Sequence, residues 1–236
     1  MGEAPLSSFA SNWRDAIRDV VLIVVSILIA FGLEAWWDAR GSRAHARDVE
    51  SALIAEFQTN LELFRADSLR LAEAIAATTT LLANFSPEPP TISSDSVSTL
   101  VARSFRQGRG FTPTVGVSAT LDAGEIAGLV GDSTAVLLAR WRRIGEISDS
   151  WADRMEGSTT AIVRSWAASG ISVASFSPSL PMPPSRLSRP PTAILTDSQT
   201  EGLLAERAIY LNSISDRIYP ETRGLARAIL ESLGSR

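Results

Sequence analysis

A chain of 236 residues is long enough for one domain of ordinary size plus an anchor. Its balance is globular with a slight apolar excess: 45% hydrophobic, 20% charged, mean hydropathy +0.11. A net charge of −4 argues against non-specific nucleic-acid binding, and the absence of Cys removes disulfides, thiolate nucleophiles and Cys-ligated metals.

The charge is unevenly placed. Residues 1–47 hold five Arg and five acids, so the remainder, with 17 Arg and 21 acids, carries the whole excess. All 22 basic residues are Arg. Codon bias in a GC-rich bacterial genome accounts for this. Arg also suits carboxylate and headgroup contacts better than Lys does.

After an N-terminal tail (1–17) comes the stretch "VVLIVVSILIAFGLEAWWDAR", Val20 to Arg40. Its unbroken apolar run, Val20–Leu33, gives 14 residues, or about 21 Å of helix. Extended to Trp37 it reaches about 27 Å, close to a bilayer core. Arg18 and Asp19 mark one edge, and Trp36, Trp37 and Arg40 form an aromatic and basic belt at the other. A signal peptide can have a run of this length, but Leu33-Glu34-Ala35-Trp36-Trp37 is a poor cleavage site. A helix lying on the surface would need a polar face that Val20–Leu33 lacks. Residues 18–39 are therefore expected to be a transmembrane helix. On a helical wheel Asp19, Ser26, Ala30 and Trp37 fall within about 20° of one line, with Glu34 about 60° to one side. Glu34 either sits in the headgroup layer or, with Ser26, faces a neighbouring helix along this small and polar stripe. Flanking arginines number two before the span and three after it, which does not decide orientation. The Ser/Thr/Pro-rich, Lys-free C-terminal part looks like an exported domain and suggests the periplasmic side.

Helical periodicity continues beyond the span. Val49, Leu53, Phe57, Leu61, Phe64, Leu71, Ile75 and Leu82 recur at spacings of three, four or seven. One helix from about Asn12 to Asn84 is predicted, stopped by the prolines at 87, 89 and 90. Further helices are predicted over Ser93–Gln107, Val115–Val130 and Ser133–Ser169, the last carrying Trp141, Ile144, Trp151, Met155, Ile162 and Trp166. Residues 170–196 hold six prolines and read as a long loop, about half of it polyproline-like. Ser198 with Glu201 reads as a capping box for a final helix to about Leu233, bent at Pro220. No stretch alternates with period two. The fold class is all-α: a transmembrane helix continuing into a long helix, and an extrinsic helical domain (40–236) with a Pro-rich loop.

Chemical motifs are missing. His45, the single histidine, lies just beyond the span and reads as a surface residue. No HExxH, EF-hand, Walker A or GxSxG pattern occurs. "RQGRGF" (Arg106–Phe111) follows no strand and reads as a hinge rather than a phosphate cradle. "GEIAG" (Gly124–Gly128) reads as close helix packing or a subunit contact. In "RWRR" (Arg140–Arg143), Arg140 and Arg143 share a helix face. They form either a solvated face over a buried Trp141 or a docking point for acidic groups or lipid headgroups. A long loop is usually functional or disordered, so Pro181, Pro183 and Pro184 are candidate partner contacts. No cofactor, metal or small-molecule substrate is expected, and no catalysis.

Two segments resemble a known group. "RDVVLIVVSILIAFGLEAWWDAR" is similar to the N-terminal anchor of a bacterial single-span, membrane-anchored helical family of unknown function. "TVGVSATLDAGEIAGLVGDSTAVLLARW" (Thr114–Trp141) resembles that family's middle segment, with its Leu-x-x-Gly turn at Leu121–Gly124. The resemblance implies a membrane-anchored helical domain and no activity. In place of the family's usual exit asparagines the chain has Glu34 and Asp38. More loosely, and on no motif, the chain looks like the single-span accessory subunits that clamp bacterial photosynthetic reaction-centre and light-harvesting complexes. The expectation is a non-catalytic accessory or scaffold subunit of a bacterial inner-membrane assembly, with other membrane subunits and the bilayer as partners. The alternative is a sensor or signalling homo-oligomer that buries its Val49–Leu82 face against its own copy.

Overall fold

A computed structural model of the chain describes residues 7–106, 111, 113, 116, 118, 123–176 and 188–235, with backbone alone for 7–19 and 123–126. Helix α1 runs Ser7–Leu82 without interruption, so residues 7–17, expected as tail, form its first turns. It is followed by α2 (Ser94–Ser104), α3 (Ala123–Ala168), two 3-10 turns (Val173–Phe176 and Pro191–Thr196), α4 (Ser198–Ser213), a π-turn (Ile214–Ile218) and α5 (Tyr219–Gly234). Among the described residues the only β pairing is an isolated parallel bridge, Ile171 with Arg189. The protein is all-α, as expected.

The chain divides into two compact units, Met1–Ser51 and Ala52–Arg236. The first is helical from Ser7, and its apolar residues Val20 to Trp37 are all exposed. In the second, one stripe of α1 is buried: Leu53, Phe57, Asn60, Phe64, Asp67, Leu71, Ala74, Thr78 and Leu81. These residues alternate spacings of four and three, the period of a helix that keeps one seam against its neighbours. The partners of the seam are the domain's own helices. Phe57 meets Trp141 of α3 edge to face at 5.0 Å, Phe64 packs on Tyr219 of α5 at 4.7 Å, and Thr78 shares a 2.6 Å hydroxyl contact with Ser104 of α2. The face that a self-associating signalling helix would need is thus occupied within the chain.

Local signals explain the element ends. Ser93 caps α2 by accepting from the Ser96 N–H at 3.1 Å, while Asp95 in the first turn and Arg103 in the last complement the helix dipole. The two helices expected to meet around residue 131 do so: α3 consists of two helical segments joined by a kink at Gly131, whose φ of 75° and ψ of 160° suit only glycine. α3 ends in a Schellman motif: the Gly170 N–H (φ 73°) donates to the Ala167 carbonyl at 3.2 Å, and the Ile171 N–H to the Trp166 carbonyl at 2.8 Å. Ile171 and Trp166 then enter one core cluster with Leu81, Val97, Ile162, Phe176, Ile194 and Leu204.

Two expectations need correction, and a third is met in part. Both described ends of 170–196 wind into 3-10 turns, with Phe176, Ala193, Ile194 and Leu195 drawn into the core, while Pro190 keeps the extended angles of a polyproline residue (φ −64°, ψ 154°). Residues 177–187 lie outside the described residues. The cap of the next helix is Asp197 rather than Ser198; its carboxylate accepts from the Gln199 N–H at 3.2 Å and from the Thr200 hydroxyl at 2.7 Å. Aspartate caps at least as well as serine, and the helix starts one residue earlier than expected. The bend expected at Pro220 is the π-turn just before it, which places Pro220 in the first turn of α5, where its missing N–H costs nothing.

Candidate interaction surfaces

The first surface is the apolar segment of the N-terminal unit. From Val20 to Phe31 its large apolar side chains are 45–65% exposed, and the 18-residue window has a hydropathy of 2.3 with 0% buried. Such a helix is long and apolar enough to cross a membrane. Trp36 and Trp37 pack edge to face at 5.6 Å, and the Arg40 guanidinium lies over the Trp36 ring at 5.7 Å. This gives an amphipathic collar of aromatic bodies with a charged tip, the chemistry suited to a headgroup layer.

The stripe on this helix is less polar than its letters suggest. Ser26 donates its hydroxyl to the Leu22 carbonyl at 2.8 Å, so its polar group is met within the helix and needs no neighbour. Ala30, Glu34 and Trp37 are exposed. Arg18 and Asp19 are helical, and their side chains are outside the described residues. Within Val20–Trp37, Glu34 is the one ionisable residue.

On the domain, "RWRR" divides in a way the sequence did not show. Trp141 is buried at 1% exposure. Arg140 and Arg143 are exposed, and Arg140 reaches Glu221 of α5 at 3.9 Å, a pair too wet to bind strongly. Arg142 donates to the Ser118 carbonyl through Nε at 3.1 Å, while the Ser118 hydroxyl donates to Glu56 of α1 at 2.5 Å. This link ties α1, the segment before α3, and α3 itself. Pro181, Pro183 and Pro184 lie outside the described residues, as do Gln107–Gly110 of the glycine-rich hinge. A Cβ added at Gly128 would meet nothing within 4 Å, so the close packing expected of "GEIAG" is not present there.

Two buried polar centres escaped sequence reading. Arg207 of α4 is 0% exposed. Its Nη2 donates to the Ser104 carbonyl at 3.1 Å, its Nη1 to the Thr159 hydroxyl at 3.0 Å, and its guanidinium lies 4.4 Å from the centre of the Phe105 ring. Burial pulls its pKa down to about 10. The second centre joins Asp67 of α1 to Tyr219 of α5. The tyrosine hydroxyl donates to the Asp67 carboxylate and accepts from the Phe111 N–H at 3.3 Å, while Arg70 pairs with the same carboxylate at 3.2 Å. Burial first, then the bond to Asp67, raises the Tyr219 pKa. The cavity beside Tyr219 holds about 10 Å³, room for one water at most. Both centres fasten helices together. His45 is exposed, and among the described residues no group of three His, Cys, Asp or Glu could hold a metal ion.

Comparison with known protein families, curated proteins and solved structures finds no match. The family resemblance noted in the sequence rests on its two quoted segments, and the looser one on no motif.

Proposed function

We propose that this chain is a non-catalytic, single-span accessory subunit that stabilises a bacterial inner-membrane protein assembly. The observation that carries this reading is the wholly exposed apolar segment Val20–Trp37, attached to a domain whose own apolar seam is already filled. The domain satisfies its core internally, so the surface that calls for an outside partner is the anchor. Glu34 next to the small-residue stripe marks the side on which a neighbouring helix approaches; the lipid-facing side is that of Val21, Val24, Leu28 and Phe31. The extrinsic domain, in the periplasm, supplies a second contact, and two weak contacts on one chain gain about 10²–10⁴ in avidity. A photosynthetic reaction-centre or light-harvesting complex is the assembly suggested by the looser resemblance.

The test is extraction from native membranes in a gentle detergent, followed by mass spectrometry of the purified material. A stable complex with other membrane subunits is expected. Recovery of the 25.3 kDa chain alone, as a monomer, would contradict the proposal. The periplasmic placement is checked separately with a single cysteine introduced into the Cys-free chain at the exposed Ile209, away from any proposed contact, and an impermeant maleimide. Labelling in intact spheroplasts supports it, and labelling only after lysis overturns it.

A further inference from the structure

A groove of about 520 Å³ runs between α1 and α5 within the extrinsic domain. Leu61, Arg65 and Leu69 line one wall, each one helical turn after the last, and Arg223 and Arg227, one turn apart, line the other; Glu62 is the single acid on the lining. All three arginines are exposed, and Leu69 is 64% exposed.

Exposed arginines without an ion pair, Arg143 and Arg164 among them, are ordinary among the described residues; what sets Arg65, Arg223 and Arg227 apart is that they line one groove. Arg70, Arg106 and Arg140 each pair with an acid, at 3.2, 3.2 and 3.9 Å. Among the described residues no such pair reaches Arg65, Arg223 or Arg227, although the chain has 26 acids to supply one. Like charges one turn apart on a helix cost a few tenths of a kcal/mol. Gathering three around an apolar floor therefore loosens the free domain slightly, unless an anion from outside offsets it.

We infer that this groove docks an acidic, amphipathic helical segment of a neighbouring protein subunit. Arg223 and Arg227 stand one turn apart, matching carboxylates one turn apart on a helix. Arg65 closes the opposite side, and each guanidinium can grip a carboxylate with two hydrogen bonds. Leu61 and Leu69 offer apolar contact for residues between those carboxylates, which a phosphate headgroup would not use. The inference rests on the accessory-subunit reading and identifies the chemistry of its second contact.

The experiment uses the full chain in phosphatidylcholine nanodiscs. The probe is a labelled helical peptide with glutamates one turn apart around leucines, and its control replaces the glutamates with glutamine. Fluorescence anisotropy is expected to show binding of the acidic peptide only, weakening as salt rises. The variant carrying Arg65→Glu, Arg223→Glu and Arg227→Glu is expected to bind at least about tenfold more weakly. It should instead accept a peptide with lysines at the glutamate positions. Circular dichroism checks that the variant is folded, and the lysine peptide's binding would itself show an intact groove. No binding of the acidic peptide, equal binding of the glutamine control, or equal binding by the variant overturns the inference. Displacement of the peptide by phosphatidylglycerol, with the loss of that displacement in the variant, reassigns the groove to lipid. A chain that purifies alone from native membranes would end the accessory-subunit reading while leaving this binding result standing.

Discussion

Helix α1 carries two apolar patterns with opposite fates. Between Val20 and Trp37 apolar residues fill every face and all are exposed; between Leu53 and Leu81 one seam, with Leu53, Phe57, Phe64, Leu71 and Leu81, is buried, while Leu63 and Leu69 stay exposed outside it. The difference lies in period. A seam repeating every three or four residues can be covered by helices packed along one side, and the domain supplies them. A segment apolar all round is not covered by such packing, so its surroundings must be apolar instead, as lipid and neighbouring spans are. One helix thus carries a segment able to cross a membrane and a segment covered by its own domain.

The largest expected effect comes from breaking the first pattern. Arginine at both Val24 and Leu28 costs about 2.5–3.5 kcal/mol each at mid-bilayer. The doubly substituted chain should leave the membrane pellet on carbonate extraction, and its domain should stay folded. The second pattern breaks at Phe57, which is 0% exposed against Trp141. Phe57→Ala should lower unfolding stability by about 3–5 kcal/mol in denaturant titrations while membrane retention stays unchanged. These two results together would separate the two patterns.

A smaller effect sharpens the seam. Tyr219→Phe removes the hydroxyl that satisfies Asp67, at a cost of about 1.5–3 kcal/mol. Because the folded state holds the Tyr219 pKa above its ordinary value, the phenol's contribution is complete below about pH 10 and falls as pH rises beyond that. Arg207 acts in the opposite sense: its pKa is lowered in the folded state, so its penalty eases as pH rises above about 10. Subtracting the Tyr219→Phe curve from the wild-type curve isolates the tyrosine, and the difference should shrink steadily above pH 10. The smallest effect is local. Asp197→Ala removes the cap of α4 and should cost about 1 kcal/mol by the same titration.

The apolar segment was legible, since length and composition alone mark a helix able to cross a membrane. The seam was legible in type but was placed partly one residue off. Leu61, Ile75 and Leu82, chosen as apolar letters, are only half-buried; Asn60, Ala74 and Leu81 hold those positions. Reading apolar residues alone passes over polar ones whose groups find partners far along the chain. Asp67 meets Tyr219 from 152 residues away, and Arg207 meets Ser104 from 103. The same distance hid Arg142, whose link to Glu56 runs through Ser118. The 3-10 turn at Pro191–Thr196 was hidden because proline was weighed above Ala193-Ile194-Leu195, and proline at the start of a 3-10 turn costs little. Of the candidate surfaces, the anchor was visible in sequence. The arginine groove was not, because Arg65 and Arg223 lie on helices that only the fold brings together.

The claim that the exposed anchor is completed by another protein can be tested by photo-crosslinking in native membranes. A photoreactive residue is placed at Glu34 in one variant and at Leu28, on the opposite side, in another. Position 34 is expected to crosslink to a protein subunit and position 28 to lipid. Lipid adducts at both positions would contradict the claim and leave the chain a solitary anchor.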